Sequence, residues 1–297
     1  MEIVTYRNHN LKAALEAKPI DIVKQAFLGV NLVIGFVNEI NTKLGDDYLT
    51  AFKKNLEHET KNIEVDFAIY DLEELTKELT FVKKNQRLQK LIVKLIHKYM
   101  KPARDDHNEQ GEYELLLLEW LKAYLLWRYY RTKSIIDILG REKGIKFWKE
   151  EIAVRLADYT LETSEERPPI KEVAEGWMKA GVKNKENSLM NFTVVVFDDY
   201  RTLVKFDICG VHEALKYLND PELTYLSYCF VGDVEDERTT KVRRRRRTHS
   251  LHLNGFCDEF FWDNEVYPDA KQPPLDFMRK LGKEDAGKII KEYQGKV

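Results

Sequence analysis

Asn191-Phe-Thr-Val-Val-Val-Phe197, then Asp198-Asp199, then Tyr200-Arg-Thr-Leu-Val-Lys-Phe-Asp-Ile208 is the stretch on which the fold turns. Both runs are rich in β-branched and aromatic residues, and the acidic pair between them is turn chemistry. The reading is two antiparallel strands joined by a tight hairpin. Working outward, Val211 to Leu218 and Pro221 to Val231 return to helical spacing, with Pro221 suited to a first helical turn. Arg243 to Leu253 and Phe256 to Trp262 read as extended, joined through Asn254-Gly255, a strong hairpin signal.

Upstream the period changes. From Leu11 to about Tyr159 the pattern is helical: Ile20 to Leu44, Tyr48 to Glu59, Leu72 to Tyr99, Glu112 to Leu139 and Ile145 to Tyr159. Breaks are expected at Gly45-Asp46-Asp47, Lys101-Pro102 and Gly140, and the polar run Asp105 to Gly111 reads as a loop. Glu112 to Leu139 carries Leu, Trp and Tyr around most of its circumference, which predicts the central helix of a bundle. Glu165-Glu166-Arg167-Pro168-Pro169 is the linker candidate, and Ile170 to Gly181 reads as a helix. The predicted architecture is α+β: a mostly helical region over residues 1–165, then a module over 166–297 with an antiparallel sheet and helices.

The bulk properties bound the function. The chain has 297 residues, 43% hydrophobic and 33% charged, with a formal net charge of −2. That balance predicts a soluble globular protein with no global field toward nucleic acid or anionic lipid. Met1 to Asn10 lacks a basic segment followed by an apolar one, so no secretory signal is read there. The longest uncharged run, Gln25 to Asn38, is too short to span a bilayer, and a buried helix is the expectation. Gly29 and Gly35 in this region suit either core packing or a homodimer seam. Only three cysteines occur, which does not suggest a disulfide framework and points to a cytoplasmic home.

All three lie between Cys209 and Cys257, among acids and histidines. Cys209 ends a predicted strand, with His212 at the start of the next helix. Cys229 is followed by Asp233, and Cys257-Asp258 opens the last strand after His249 and His252. Three readings stay open: a nucleophilic thiolate, zinc held by thiolates with His212 or Asp233, or inert buried thiols. Zinc is disfavoured by spacing, since no close Cys-x-x-Cys pair exists. Arg243 to Arg247 follow an acidic run, Asp233 to Glu237. In a strand the arginines alternate faces, which argues against a nucleic-acid stripe. A solvated face and a bidentate clamp for a substrate carboxylate remain.

Phe206-Asp-Ile-Cys209, Asp220-Pro-Glu-Leu-Thr-Tyr-Leu-Ser-Tyr-Cys229-Phe-Val-Gly-Asp233, Arg247-Thr248-His-Ser-Leu251 and Gly255-Phe-Cys257-Asp258-Glu-Phe260 together resemble the L-2-amino-thiazoline-4-carboxylic acid hydrolase family. The resemblance extends over about Glu112 to Asp263, with its specific content in roughly sixty of those residues. Glu259 departs from the aromatic usual there, and Gly255 stands closer to Cys257 than the pattern implies. The resemblance implies a cofactor-independent hydrolase opening a small cyclic isothiourea-type carboxylic acid. For that chemistry the candidates are Cys209 or Cys257 as nucleophile, with Cys229 beside them, Asp233 and Asp258 as acid–base or orienting groups, and Arg247 as carboxylate clamp with Thr248, His212 and His252 for substrate binding. The competing reading is a ligand-binding or sensor module with structural or zinc-bound cysteines.

Overall fold

The structure, a computed structural model, describes residues 1–100, 113–163, 169–183, 189–239 and 242–296. The predicted breaks at Lys101-Pro102 and over Asp105 to Gly111, and the linker up to Pro168, lie outside these residues. The chain divides into two units. One gathers Met1–Ala13, Asp158–Tyr225 and Gly232–Val297 around a sheet; the other, helical, comprises Ala14–Ala157 and Leu226–Val231.

The sheet unit contains five strands: β1 (Glu2–Arg7), β4 (Met190–Asp198), β5 (Arg201–Cys209), β6 (Arg243–Arg246) and β7 (Cys257–Asp263). Their order is β1-β4-β5-β7-β6, and every neighbouring pair is antiparallel. The hairpin forms where the sequence places it. Asp198 pairs in register with Arg201, and its carboxylate accepts from the Tyr200 amide at 2.9 Å and from Arg201 Nε at 2.9 Å. β1 is a correction to the sequence reading, which gave residues 1–165 to the helical region. Glu-Ile-Val-Thr-Tyr-Arg instead pairs with β4, Val4 opposite Val194 and Tyr6 opposite Phe192.

Strand alternation sends successive side chains to opposite faces. On one face Val195, Leu203, Phe260 and Trp262 pack with Phe277 and Met278 of α13 (Leu275–Lys280) and Ile289 and Tyr293 of α14 (Ala286–Tyr293). On the other, Phe192, Val194, Val204, Phe206 and Phe261 meet Ile170 and Val173 of α9 (Ile170–Lys183), with Trp177 set edge-on to Phe192 and Phe206. Two short helices, α10 (Gly210–Leu215) and α12 (Leu251–Asn254), and α11 (Pro221–Arg238) complete the elements near the site. The middle turn of α11, Leu226–Val231, groups with the helical unit. α11 is capped as expected, with Pro221 in its first turn and Asp220 accepting from Leu223 N at 3.1 Å.

Asn254-Gly255 is not a hairpin turn. Leu251–Asn254 is a helical turn ended by Gly255 at φ 77°, so β6 stops at Arg246 and reaches β7 by a longer path. A left-handed glycine serves a helix end as well as a hairpin, and the dipeptide fits both.

In the helical unit α1 (Pro19–Ile40) and α2 (Thr42–Glu59) replace the predicted Ile20–Leu44 and Tyr48–Glu59 helices. The break falls at Asn41, whose side chain accepts from Leu44 N at 3.0 Å, and Gly45 lies inside α2. α1 outlasts its uncharged core: its 22 residues are long and apolar enough to cross a membrane by length and composition alone. Val23, Ala26, Phe27, Val30, Val33 and Val37 on it are fully buried. The predicted Leu72–Tyr99 helix is three: α3 (Leu72–Thr76), α4 (Thr80–Lys83) and α5 (Gln86–Tyr99), the last capped by Asn85. β2 (Ala14–Ala17) pairs with β3 (Tyr113–Leu116) where helix was expected. α6 (Leu117–Leu139) then buries Leu121, Leu125, Leu126 and Trp127. It ends at Gly140, φ 77°, as predicted. α7 (Arg141–Phe147), a π-helical turn (Trp148–Ile152) and α8 (Ala153–Thr163) follow.

Candidate functional site

The register of β6 on β7 sorts the arginine run. Arg244 and Arg246 lie opposite Trp262 and Phe260, and Arg245 lies opposite Phe261. Arg244 and Arg246 are spent locally: Arg244 donates to the Thr239 carbonyl, and Arg246 lies 5.0 Å over the Trp262 ring. Arg245 and Arg247 turn to the other side, where α11 and β7 supply acids.

There an ion network forms. Arg247 Nη2 donates to Glu259 Oε1 at 2.5 Å, and its Nη1 lies 3.1 Å from Asp233 Oδ1. Arg245 Nη1 reaches the same Glu259 oxygen at 2.8 Å, its Nε meets Asp236, and its Nη2 donates to the Gly232 carbonyl at 3.1 Å. Tyr225 donates to Asp233 Oδ2 at 2.6 Å. Glu259 is 8% exposed, so its charge survives only because two guanidinium groups face it. Burial pushes its carboxyl up, but Arg245 and Arg247 outweigh burial and hold it below the usual range. Asp233 goes the other way: burial raises it, and Arg247 and the Tyr225 hydroxyl only partly offset this.

Cys209 sits at the end of β5, within electrostatic reach of Arg247 and Glu259. Burial pushes its thiol up, against the backbone amides of Val211 and His212 and against Arg247. At neutral pH it is a thiol, not a preformed thiolate. His212 on α10 and His252 on α12 face each other with Nδ1 atoms 3.1 Å apart. Burial lowers both imidazoles, His252 to about 3, with the partner ring and Arg247 adding to its shift.

The remaining nominated residues do not join this network. Cys257 packs on the apolar cluster of Phe192, Val204 and Phe206. Asp258, its neighbour, points through the opposite face and is completely buried. It holds a corner of the chain: Oδ1 accepts from the Thr248 and His249 amides at 2.7 and 2.9 Å. Oδ2 accepts from Thr248 Oγ1 at 2.6 Å and Gln272 Nε2 at 3.1 Å, and lies 2.9 Å from His249 Nδ1. With so many donors committed to it, Asp258 is an anchor for the chain entering α12, and Thr248 is one of its ligands. Cys229 lies on the turn of α11 that groups with the helical unit. Among the described residues no cluster of three or more His, Cys, Asp or Glu is arranged to hold a metal ion.

Sequence reasoning took Arg245 and Asp236 only as members of the basic and acidic runs, and it did not single out Tyr225 or, above all, Glu259. Glu259 stood out only as a departure from the family pattern. The signal that could have found it is period: Cys257 and Glu259 share a face that Asp258 does not.

No match was found to any family model, curated protein or solved structure. The resemblance described above stands on its quoted residues alone.

Proposed function

We propose that the sheet unit is a small-molecule hydrolase, acting in the cytoplasm without a cofactor, that opens a cyclic isothiourea-type carboxylic acid of the 2-aminothiazoline-4-carboxylate kind. The observation that carries this reading is the partly buried ion network in which Arg247 meets Asp233 of α11 and Glu259 of β7, with Cys209 ending β5, the strand paired to β7. Buried groups with displaced proton affinities beside a fixed cation are what acid–base work at neutral pH requires.

In the proposed reaction the substrate carboxylate shares the Arg247 guanidinium, which Glu259 holds in place. The Cys209 sulfur adds to the ring carbon between sulfur and nitrogen while its proton passes to the Asp233 carboxylate. The carbon–sulfur bond of the ring then breaks, and the departing sulfur takes the proton from Asp233. Water attacks the resulting enzyme-bound isothiourea, again giving its proton to Asp233, and Cys209 leaves and is reprotonated. The net change is addition of one water to give an N-carbamoyl amino thiol. A carboxyl raised toward neutrality is better matched to both proton transfers than an ordinary aspartate.

The test is turnover of 2-aminothiazoline-4-carboxylate by the purified full chain, followed by release of titratable thiol and by mass spectrometry of the product. Cys209→Ser is expected to abolish turnover, and Asp233→Asn to lower kcat by about 10²–10⁴-fold. Arg247→Lys is expected to raise KM, because a point charge replaces a two-pronged one. Absence of turnover, or a Cys209→Ser protein as active as the parent, overturns the assignment. Non-catalytic binding is the second reading, favoured by one observation: Arg247 is already engaged by two protein carboxylates. Saturable binding of the same acid without turnover would select it.

A further inference from the structure

The helical unit contains a buried cation that has no counter-ion among the described residues. Arg131, on α6, is 3% exposed. Its Nη1 donates to the Gly29 carbonyl of α1 at 3.2 Å, and its guanidinium carbon lies 5.3 Å and 5.4 Å from the Trp127 and Trp148 ring centres. Among the described residues it forms no pair with a carboxylate, although ion pairs are common elsewhere on the same unit, as between Arg155 and Glu39. Another cation on the same helix, Arg128, lies one turn earlier, stacked 4.7 Å over Trp127, and its charge opposes that of Arg131. Burial, with Arg128 adding to it, lowers Arg131 to about 9. A guanidinium keeps its proton across the ordinary pH range, so this destabilisation stays in the fold unless an anion relieves it.

The polar atoms around it point the same way. Arg131 Nε, Arg128 Nε, Trp127 Nε1 and the Tyr48 hydroxyl of α2 are buried and make no hydrogen bond. Tyr48 is fully buried and electrostatically coupled to Arg131. The nitrogens are donors only, and the phenol donates readily; among the described residues no carboxylate receives them. Buried donors in such company are rare in finished cores. Gly29 contributes by being small: a Cβ there would lie 2.6 Å from Trp127 and 3.2 Å from Arg131 Nη1, so glycine lets α1 come close to the two side chains.

We propose that Arg131, with Tyr48 and Trp127, forms a binding site for a small oxyanion within the helical unit. The ligand is acceptor-only and compact, a carboxylate or an inorganic phosphate. The site is independent of the sheet unit's Cys209–Arg247 cluster, and neither proposal needs the other.

Thermal unfolding of the full chain, titrated with sodium phosphate and separately with sodium acetate at ionic strength held constant with sodium chloride, tests it. A ligand that binds only the folded state raises Tm as its concentration passes Kd. The parent protein should gain a few degrees, with saturation, in at least one titration, and the anion that saturates at lower concentration identifies the class. Tyr48→Phe, which removes one oxygen and no bulk, should weaken the response several-fold. Arg131→Met should abolish it and, without phosphate or acetate, unfold at a temperature equal to or above the parent's. Equal responses in parent and Arg131→Met, or no response in the parent to either anion, overturn the site. Should Arg131→Met fail to fold, an unchanged response in Tyr48→Phe overturns it equally.

Discussion

Glu259 holds two guanidinium groups on a single carboxylate oxygen, and this makes it the residue on which the site's charge balance depends. Glu259→Gln would leave Arg245 and Arg247 partly uncompensated, and breaking such a buried network costs about 3–5 kcal/mol. Denaturant midpoints of the variant should fall accordingly. The pH dependence follows from the direction of the shift. A carboxyl held below its unfolded value contributes stability that is complete above about pH 4.3 and is lost as pH falls through the folded value. Glu259→Gln should therefore lack part of the parent's loss of stability below about pH 4. His252 acts over a different range. Its folded value of about 3 lies below the unfolded value of about 6.5, so the folded state takes up fewer protons between the two. Stability should fall as pH drops from about 6.5 toward 3, and His252→Gln should flatten that part of the curve.

At the scale of elements, packing between helix and strand decides which neighbours are tolerated. Gly181, near the end of α9, faces Tyr6 of β1, and a Cβ there would lie 2.5 Å from ring atoms of Tyr6. Gly181→Ala should displace the ring from Phe192, 5.1 Å away between centroids, and cost about 1–3 kcal/mol. A urea melt with tyrosine and tryptophan fluorescence would measure it. The same scale shows what could be read in advance. The β4–β5 hairpin is legible because pattern and turn are contiguous, and α11 is legible through Asp220 and Pro221. β2 is not, because Ala14-Leu-Glu-Ala17 is composed of good helix formers and only pairing with β3 makes it a strand. The candidate site is half legible. Of the nominated residues, Asp233 and Arg247 meet in one ion network, while Cys257 packs in an apolar cluster and Cys229 lies in the other unit. The choice of Glu259 over Asp258 follows from the period of β7, which a motif matched residue by residue does not apply.

For the molecule as a whole, the sheet unit is discontinuous: its first strand precedes Ala14–Ala157 of the helical unit, and its other four strands follow that segment. β1 covers the edge of β4 through six registered residues from Glu2 to Arg7. Removing residues 1–8 should expose β4 as a new edge, a recognised route to aggregation. Hydrogen exchange followed by mass spectrometry should then show lost protection in β4 and β5, while α1, α2 and α6 keep theirs. Equal loss in both units would mean that they open together.

The antiparallel match of Val4 with Val194 has a consequence for biosynthesis. At elongation rates of about 5–20 residues per second, β1 would be made on the order of 10–40 s before the strand it must join leaves the ribosome. During that interval Ile3, Val4 and Tyr6 have no sheet to enter.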